Sequence, residues 1–274
     1  MTPIDLHMHS TYSDGTLPPE AIVKIAKKNG VKVMSLTDHD TVAGIAETFA
    51  AAQHAGIQVI PGIELSVHVD DEEVHVLGYS FDWQNIEFQK FLIELKNDRR
   101  RRMQQMLLNL QAIGISLTEE DIQQQMTDDT SPGRPHVARA LVAKGVIKNV
   151  QTAFDQLLKK GKPGYAKRQS VSAEKIIQWI HALGGTTSVA HPGLIKQSST
   201  LQKIITLGVD ALEVYHPDHP SKTRRQLARM ANQHGIGVTL GCDYHGTGFH
   251  NSVEPGKMNA PEAVCLELLK KFAS

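Results

Sequence analysis

Apolar, β-branched residues gather in seven short runs along the chain, at residues 4–8, 33–37, 57–60, 74–79, 186–190, 211–215 and 237–241. Each has the length of a strand, and several of the intervening segments carry apolar residues at helical spacing, near residues 18–29, 41–55, 172–183, 199–207 and 221–234. The punctuation agrees. Thr16 precedes Pro18-Pro19-Glu20, Gly30 and Gly56 follow the last periodic positions, and Ser172 stands ahead of Glu174. Alternation of this kind predicts an α/β fold on a parallel sheet, either a barrel or a doubly wound layer.

One stretch departs from the rhythm. From Gln84 to Gln169 the pattern is helical throughout. A long segment near 86–113 repeats Leu92, Leu95, Met103, Met106, Leu107, Leu110 and Ile113 at helical spacing, and shorter ones follow near 118–126, 135–144 and 150–159. The expected organisation is a body of residues 1–83 and 170–274 carrying a helical insert, residues 84–169, between its fourth and fifth strands.

Charge divides along the same line. The 274 residues include 29 Lys+Arg and 29 Asp+Glu, yet the insert holds 15 basic against 9 acidic residues, so a neutral total combines a basic insert with an acidic body. That balance excludes a generally basic nucleic-acid coat protein, and it suits cations on the body and an anionic substrate under the insert. No apolar run approaches the roughly 18–20 residues of a membrane span. The start, Met1-Thr2-Pro3-Ile4-Asp5, has no signal-peptide pattern, so a cytoplasmic location is expected. Cys242 and Cys265 form no CxxC pair, which excludes a disulfide framework or a thiolate zinc site.

Histidine is the unusual residue, with 14 in the chain, about twice ordinary usage. The histidines and carboxylates track the strand ends. The first strand closes on His7-Met8-His9, with Asp14 in the following loop. Asp38-His39-Asp40 ends the second, Glu64 follows the third, and His75 opens the fourth. His191, His216 and the group Asp243-Tyr244-His245 follow the last three. On a strand, residues two apart share a side, so His7 and His9 can approach one ion together. The C-terminal ends of strands are where α/β barrels assemble their sites. Imidazoles mixed with carboxylates favour Mn, Fe or Zn over Mg or Ca, and the donors exceed what one ion holds, which implies two or three ions. Such a cluster acidifies water and clamps a phosphate's oxygens.

The segments His7-Met8-His9, Thr37-Asp38-His39-Asp40, Gly62-Ile63-Glu64, His75, Ala190-His191-Pro192 and Asp243-Tyr244-His245 resemble the ordered motifs of the PHP (polymerase and histidinol phosphatase) superfamily. The resemblance implies a metal-dependent phosphoesterase on a distorted (β/α)7 barrel with an inserted all-helical cap. It also implies a ligand set: His7, His9, Glu64 and Asp243 on one ion, Glu64 bridging to a second held by His75 and His191, and Asp14, His39 and His245 on a third. Asp14, His39, Glu64 and His245 thereby count as catalytic groups. Many relatives carry His where this chain has Asp14, so the third site is expected to differ in strength or metal preference. Asp38 and Asp40 are expected to orient imidazoles such as His39.

Gly133-Arg134-Pro135-His136, with the length of the insert, is similar to the branch containing nucleoside 3′,5′-bisphosphate phosphatases and 5′→3′ exoribonucleases. Arg134 and His136 are then expected to hold a substrate phosphate, beside a helix N-terminus. His216 either binds phosphate, protonates a leaving group or closes a turn. Arg99 to Arg102 read as a solvated helix face. The loop 159–168 reads as an exposed linker or as a platform that stacks a base on Tyr165. The expected activity is removal of the 3′-phosphate from nucleoside 3′,5′-bisphosphates, or release of nucleotides from the 5′ end of short RNA, by metal-activated hydroxide. Mn²⁺ is the first choice of metal, with Zn²⁺ or Fe²⁺ as alternatives. The partner is a nucleotide or a short 5′-phosphorylated RNA, with no membrane and no obligate protein partner. The rival readings are a small-molecule phosphatase such as a histidinol-phosphate phosphatase, and a non-catalytic PHP metal-binding module.

Overall fold

Short, buried runs of β-branched and aliphatic residues give three brief parallel strands, β1 (Ile4–Asp5), β2 (Val33–Met34) and β3 (Gln58–Val59), paired in that order. In this computed structural model the described residues are 2–70, 72–127, 129–169, 171–246 and 253–272, the side chain of Phe272 excepted. Helices α1 (Pro19–Lys28) and α2 (Ile45–Ala55) pack Ile22, Val23, Ala26 and Ala52 against Met34 and Val59. Gly56, at φ 67, closes α2 in the left-handed region that glycine adopts without penalty. Thr16 does not cap α1; its hydroxyl donates to the His245 carbonyl, and Pro18 occupies the cap.

A second sheet runs in the order β4 (Gly62–Val69), β5 (Glu72–Tyr79), β6 (Thr186–Val189), β7 (Ala211–Tyr215) and β8 (Gly237–Leu240). The structure corrects the sequence reading here. Eight strands, not seven, are present among the described residues, and β4, β5 and β6 pair antiparallel whereas β6, β7 and β8 pair parallel. The additional strand is β4, which alternates as strictly as any segment of the chain. Ile63, Leu65, Val67 and Val69 enter the main core, while Glu64, Ser66 and His68 take the other face. The chain turns from β4 into β5 through Asp70, at φ 53.

The two sheets meet at both margins. Met8 bridges Tyr244 and Leu6 N–H donates to the Leu240 carbonyl on one side; His39 bridges Glu64 on the other. Ile4, Leu6, Leu77, Tyr79, Ala190 and Leu240 fill the space beneath the strand ends. Outside the second sheet lie α7 (Ala173–Ala182), α8 (Ser198–Thr206) and α9 (Ser221–His234), which complete the main core. Helix α10 (Glu262–Phe272), absent from the sequence reading, adds Cys265 and Leu268 to the cluster around Ile4.

Between β5 and β6 the described residues are helical: α3 (Ile86–Ala112), α4 (Glu119–Gln123), α5 (Arg134–Ala143) and α6 (Val150–Ala153), the last running into a π-helical turn at Phe154–Leu158. Asn85 starts α3 by accepting from the Glu87 and Phe88 N–H groups. The first half of α3 packs on the main core through Phe88, Leu92 and Leu95, whereas Met103, Met106, Leu107 and Leu110 join α4, α5 and α6 in a cluster of their own. None of the described helices is long and apolar enough to cross a membrane.

Candidate metal centre

Strand periodicity delivers the first two donors. His7 and His9 extend from β1 toward one point, while Met8 between them packs into the core with Ile22 and Met34. Gly241 allows the approach of β8, because a Cβ there would collide with His7. Three non-glycine residues around the centre, Asp40 (φ 53), His191 (φ 31) and Asp243 (φ 49), adopt left-handed backbone. Strain held at such positions is a mark of functional sites.

Four atoms form the tightest group. His7 Nε2 lies 3.1 Å from His9 Nε2, 3.3 Å from Glu64 Oε2 and 3.2 Å from Asp243 Oδ1. His9 Nε2 lies 3.2 Å from the same Glu64 oxygen and 3.1 Å from the same Asp243 oxygen. The other Glu64 oxygen faces away, 2.9 Å from His75 Nδ1 and 3.1 Å from His191 Nε2, which are 3.3 Å apart. His39 joins the groups: its Nδ1 is 3.0 Å from Glu64 Oε2 and its Nε2 is 3.8 Å from Asp14 Oδ2. Asp14 Oδ1 in turn lies 3.2 Å from His245 Nε2 and 3.8 Å from His9 Nδ1. All nine residues singled out as metal donors are therefore brought together.

The donors fit divalent metal. Atoms held at about 2.0–2.2 Å from one ion stand about 3.3 Å apart in tetrahedral geometry, which is the spacing of the first group. Asp14 Oδ1, His39 Nδ1, Glu64 Oε2 and Asp243 Oδ1 are buried with no hydrogen-bond partner. Buried acceptors crowded against imidazoles call for a cation. Three overlapping sets could each hold one: His7, His9, Glu64 and Asp243; His39, Glu64 and His75; and His9, Asp14, His39 and His245.

Electrostatics bears on the protons such ions would replace. Burial works against charge on His7, but Glu213, Asp243 and Glu64 outweigh it and hold its pKa well above the histidine range. His9, equally buried, is raised to about 10 by Asp243 and Glu64, and His75 to about 9 by Glu64 and Glu73. Burial wins at His39, lowering it to about 3. Burial would raise Glu64, Asp243 and Asp14; the surrounding imidazoles hold all three well below the carboxylate range.

Sequence reasoning missed Glu213. Fully buried on β7, it accepts from His7 Nδ1 at 2.9 Å and from the His191 N–H at 2.7 Å, so one carboxylate fixes two members of the centre. A glutamate inside Ala211-Leu212-Glu213-Val214-Tyr215 was the available signal. Asp38 and Asp40, expected to orient His39, do other work. Asp38 accepts from Ser10 N–H, Ser10 Oγ and Ser13 Oγ and shapes the loop that carries Asp14. Asp40 pairs with Arg99 and Arg168 and accepts from the Ser66 N–H.

Arg99 is accordingly no part of a solvated face. Arg99 and Arg102, three apart on α3, turn inward, whereas Arg101 is exposed and bonds to Asp98 on its own helix. Arg134 and His136 separate as well. Arg134 donates to Glu73 and, with His75, His191, Lys160, Tyr165 and Lys167, lines a cleft of about 390 Å³. His136 is buried, accepts from the Gly133 N–H at Nδ1, and lines a different recess with Thr11, Thr16 and Arg139. Two residues apart at the start of α5, about 200° around the helix, the two side chains line different recesses. His216 is buried beside the centre, its Nε2 3.3 Å from Asp243 Oδ2 and its Nδ1 accepting from the Asp218 N–H.

Comparison with known proteins accords with this geometry. The family model for the PHP domain matches residues 5–189. The chain is 34% identical to a 3′,5′-nucleoside bisphosphate phosphatase of Chromobacterium violaceum over 90% of its own length and 89% of the relative. It is 33% identical to the 5′-3′ exoribonuclease Rnm of Escherichia coli, over 88% of this chain and 84% of that one. A crystal structure from Bifidobacterium adolescentis, named as a candidate metal-dependent phosphoesterase, superposes with a TM-score of 0.88 at 30% identity, over 100% of this chain and 99% of the other.

Proposed function

The chain belongs to the PHP domain family, and from that premise we propose that it is a metal-dependent phosphoesterase that removes the 3′-phosphate of nucleoside 3′,5′-bisphosphates or releases nucleotides from the 5′ end of short RNA. The observation that carries the reading is the meeting of His7 Nε2, His9 Nε2, Glu64 Oε2 and Asp243 Oδ1 within 3.3 Å of one another along each measured edge. In this reading His7, His9, Glu64 and Asp243 hold one ion, Glu64 extends to a second with His75 and His191, and Asp14, His39 and His245 hold a third. Divalent ions bound there supply Lewis-acid charge against the phosphoryl oxygens and acidify water.

The chain's own groups do the positioning. Glu213 keeps the His7 ring turned so that Nε2 faces the centre, and it holds the backbone at His191. Arg134 presents a guanidinium to a second phosphate, and Tyr165 presents a ring to a base, both from the wall of the cleft that reaches His75 and His191. Residues 84–169 serve as the cap of a distorted barrel formed by the remainder, a division supported by the separate apolar cluster of α3 to α6 and by the bridges that join the two sheets. Mn²⁺ is the first metal to supply. The two cysteines, Cys242 and Cys265, are free, which suits the reducing cytoplasm as its compartment.

The test compares adenosine 3′,5′-bisphosphate, histidinol phosphate and a 5′-phosphorylated oligoribonucleotide as substrates of Mn²⁺-reconstituted protein. The bisphosphate or the oligoribonucleotide is expected to have the highest kcat/KM; preference for histidinol phosphate would replace this reading with that of a small-molecule phosphatase.

A further inference from the structure

The cleft beside His75 contains a carboxylate where an anion-binding site would be expected to have none. Glu73 lies on β5 opposite His68, on the face of the hairpin that also carries Glu64 and His75. Its Oε1 accepts from Arg134 Nη2 at 3.1 Å and stands 3.8 Å from His75 Nε2. Its Oε2 is 3.9 Å from Arg102 Nη2, too far for a hydrogen bond. That Arg102 nitrogen is buried and has no hydrogen-bond partner, although the side chain is only 9% exposed. Arg102 is otherwise fixed, with Nε donating to the Ala166 carbonyl and its guanidinium against the Tyr165 ring. Burial, and then repulsion from Arg134, lowers its pKa to about 10. A guanidinium so placed is short of one carboxylate.

We propose that Glu73 is a built-in competitor for the second phosphate of the substrate: it occupies Arg134 until a phosphate dianion takes its place, and it then closes on Arg102. This inference rests on the bisphosphate reading above and adds to it a specificity-determining residue, Glu73, and a positioning residue, Arg102, which acts through Glu73 without touching substrate. Displacing a carboxylate from an arginine requires an anion of higher charge with matched oxygens, so a single weak anion is turned away. Because the same Glu73 oxygen neighbours His75, the subsite lies next to the metal centre, as two phosphates on one ribose require.

The experiment is a double-mutant cycle on Mn²⁺-loaded protein, read as KM and kcat for adenosine 3′,5′-bisphosphate and for p-nitrophenyl phosphate. Glu73→Gln is expected to lower KM for the bisphosphate and, through loss of the competing charge, to strengthen inhibition by inorganic phosphate. Arg102→Gln is expected to raise KM for the bisphosphate about tenfold, with kcat within about twofold, since Glu73 then has nowhere else to go. In the Glu73→Gln background the same Arg102→Gln change should shift KM by less than about twofold. An equal Arg102 effect in both backgrounds, or a raised KM in Glu73→Gln, overturns the proposal. Calorimetric titration of adenosine 3′,5′-bisphosphate into metal-free protein repeats the cycle without turnover. If wild-type protein fails to hydrolyse the bisphosphate, the substrate reading falls, and the titration still decides the role of Glu73.

Discussion

Glu64 has the most connected side chain of the centre, since its two oxygens face different imidazole groups. Glu64→Ala should therefore remove two ions per chain in elemental analysis of reconstituted protein, and unchanged metal content would refute the bridging role. Glu213→Gln keeps the shape but weakens the hold on His7, and metal affinity should drop about 10–100-fold in competition with a chelator. Arg134→Ala should reduce kcat/KM for the bisphosphate much more than for an aryl phosphate; equal losses would take Arg134 out of substrate recognition. At this scale the sequence was legible wherever a residue type is rare for its place. His7, His9 and His191 stand just past strand ends where chance scatter would not put them, and His75, expected to open its strand, lies inside β5. Glu213 and Arg102 were not legible, because a charged residue in an apolar strand or an arginine run acquires meaning only from the groups that burial places beside it.

The elements differ in the same way. Helix α9 falls on the predicted residues, Ser221–His234, because apolar spacing, a preceding proline and Gly235 all speak for the same limits. Strand β4 was hidden by Pro61 and by the polar motif around Glu64, although its alternation is regular. Pairing direction was not legible either, since it depends on where the chain re-enters the sheet after the long helical excursion. That excursion is fastened by Asp40, at the end of the second strand segment, which faces Arg99 from α3 and Arg168 from the stretch before α7. Asp40→Asn strips the buried Arg99 of its paired carboxylate and leaves the buried Arg168 with Asp98 alone, 3.5 Å away. Urea unfolding should register a loss of about 3–5 kcal/mol, against less than about 0.5 kcal/mol for Arg101→Ala on the exposed side of α3. Equal losses would show that the buried pairing contributes nothing of its own.

For the molecule as a whole, the donor cluster sets a pH dependence whose sign depends on metal. In metal-free protein His9 and His75 titrate near 10 and 9, above the ordinary 6.5, and His7 is raised as well. A raised histidine adds stability that is complete below the unfolded value and is lost as pH climbs through the folded one. His39 and His191, both lowered, are neutral in the folded state and oppose that slope only at its lower end, where the unfolded imidazole still carries part of a proton. The Tm of metal-free protein should thus fall between pH 6.5 and 10, while metal affinity rises over the same range as competing protons leave. A metal-free Tm that is flat or rising across this interval would contradict the raised imidazoles.

His7 and Asp243 stand 3.2 Å apart although almost the whole described chain separates them in sequence. During synthesis His7, His9 and Asp14 leave the ribosome long before Asp243 and His245 exist, so the two sets that join them cannot form on a nascent chain. Their loading has to wait until β8 is translated and docks beside β1. Prematurely terminated products lacking Asp243 and His245 should accordingly lose the two sets those residues complete, leaving only the donors around Glu64, His39 and His75 for a divalent ion.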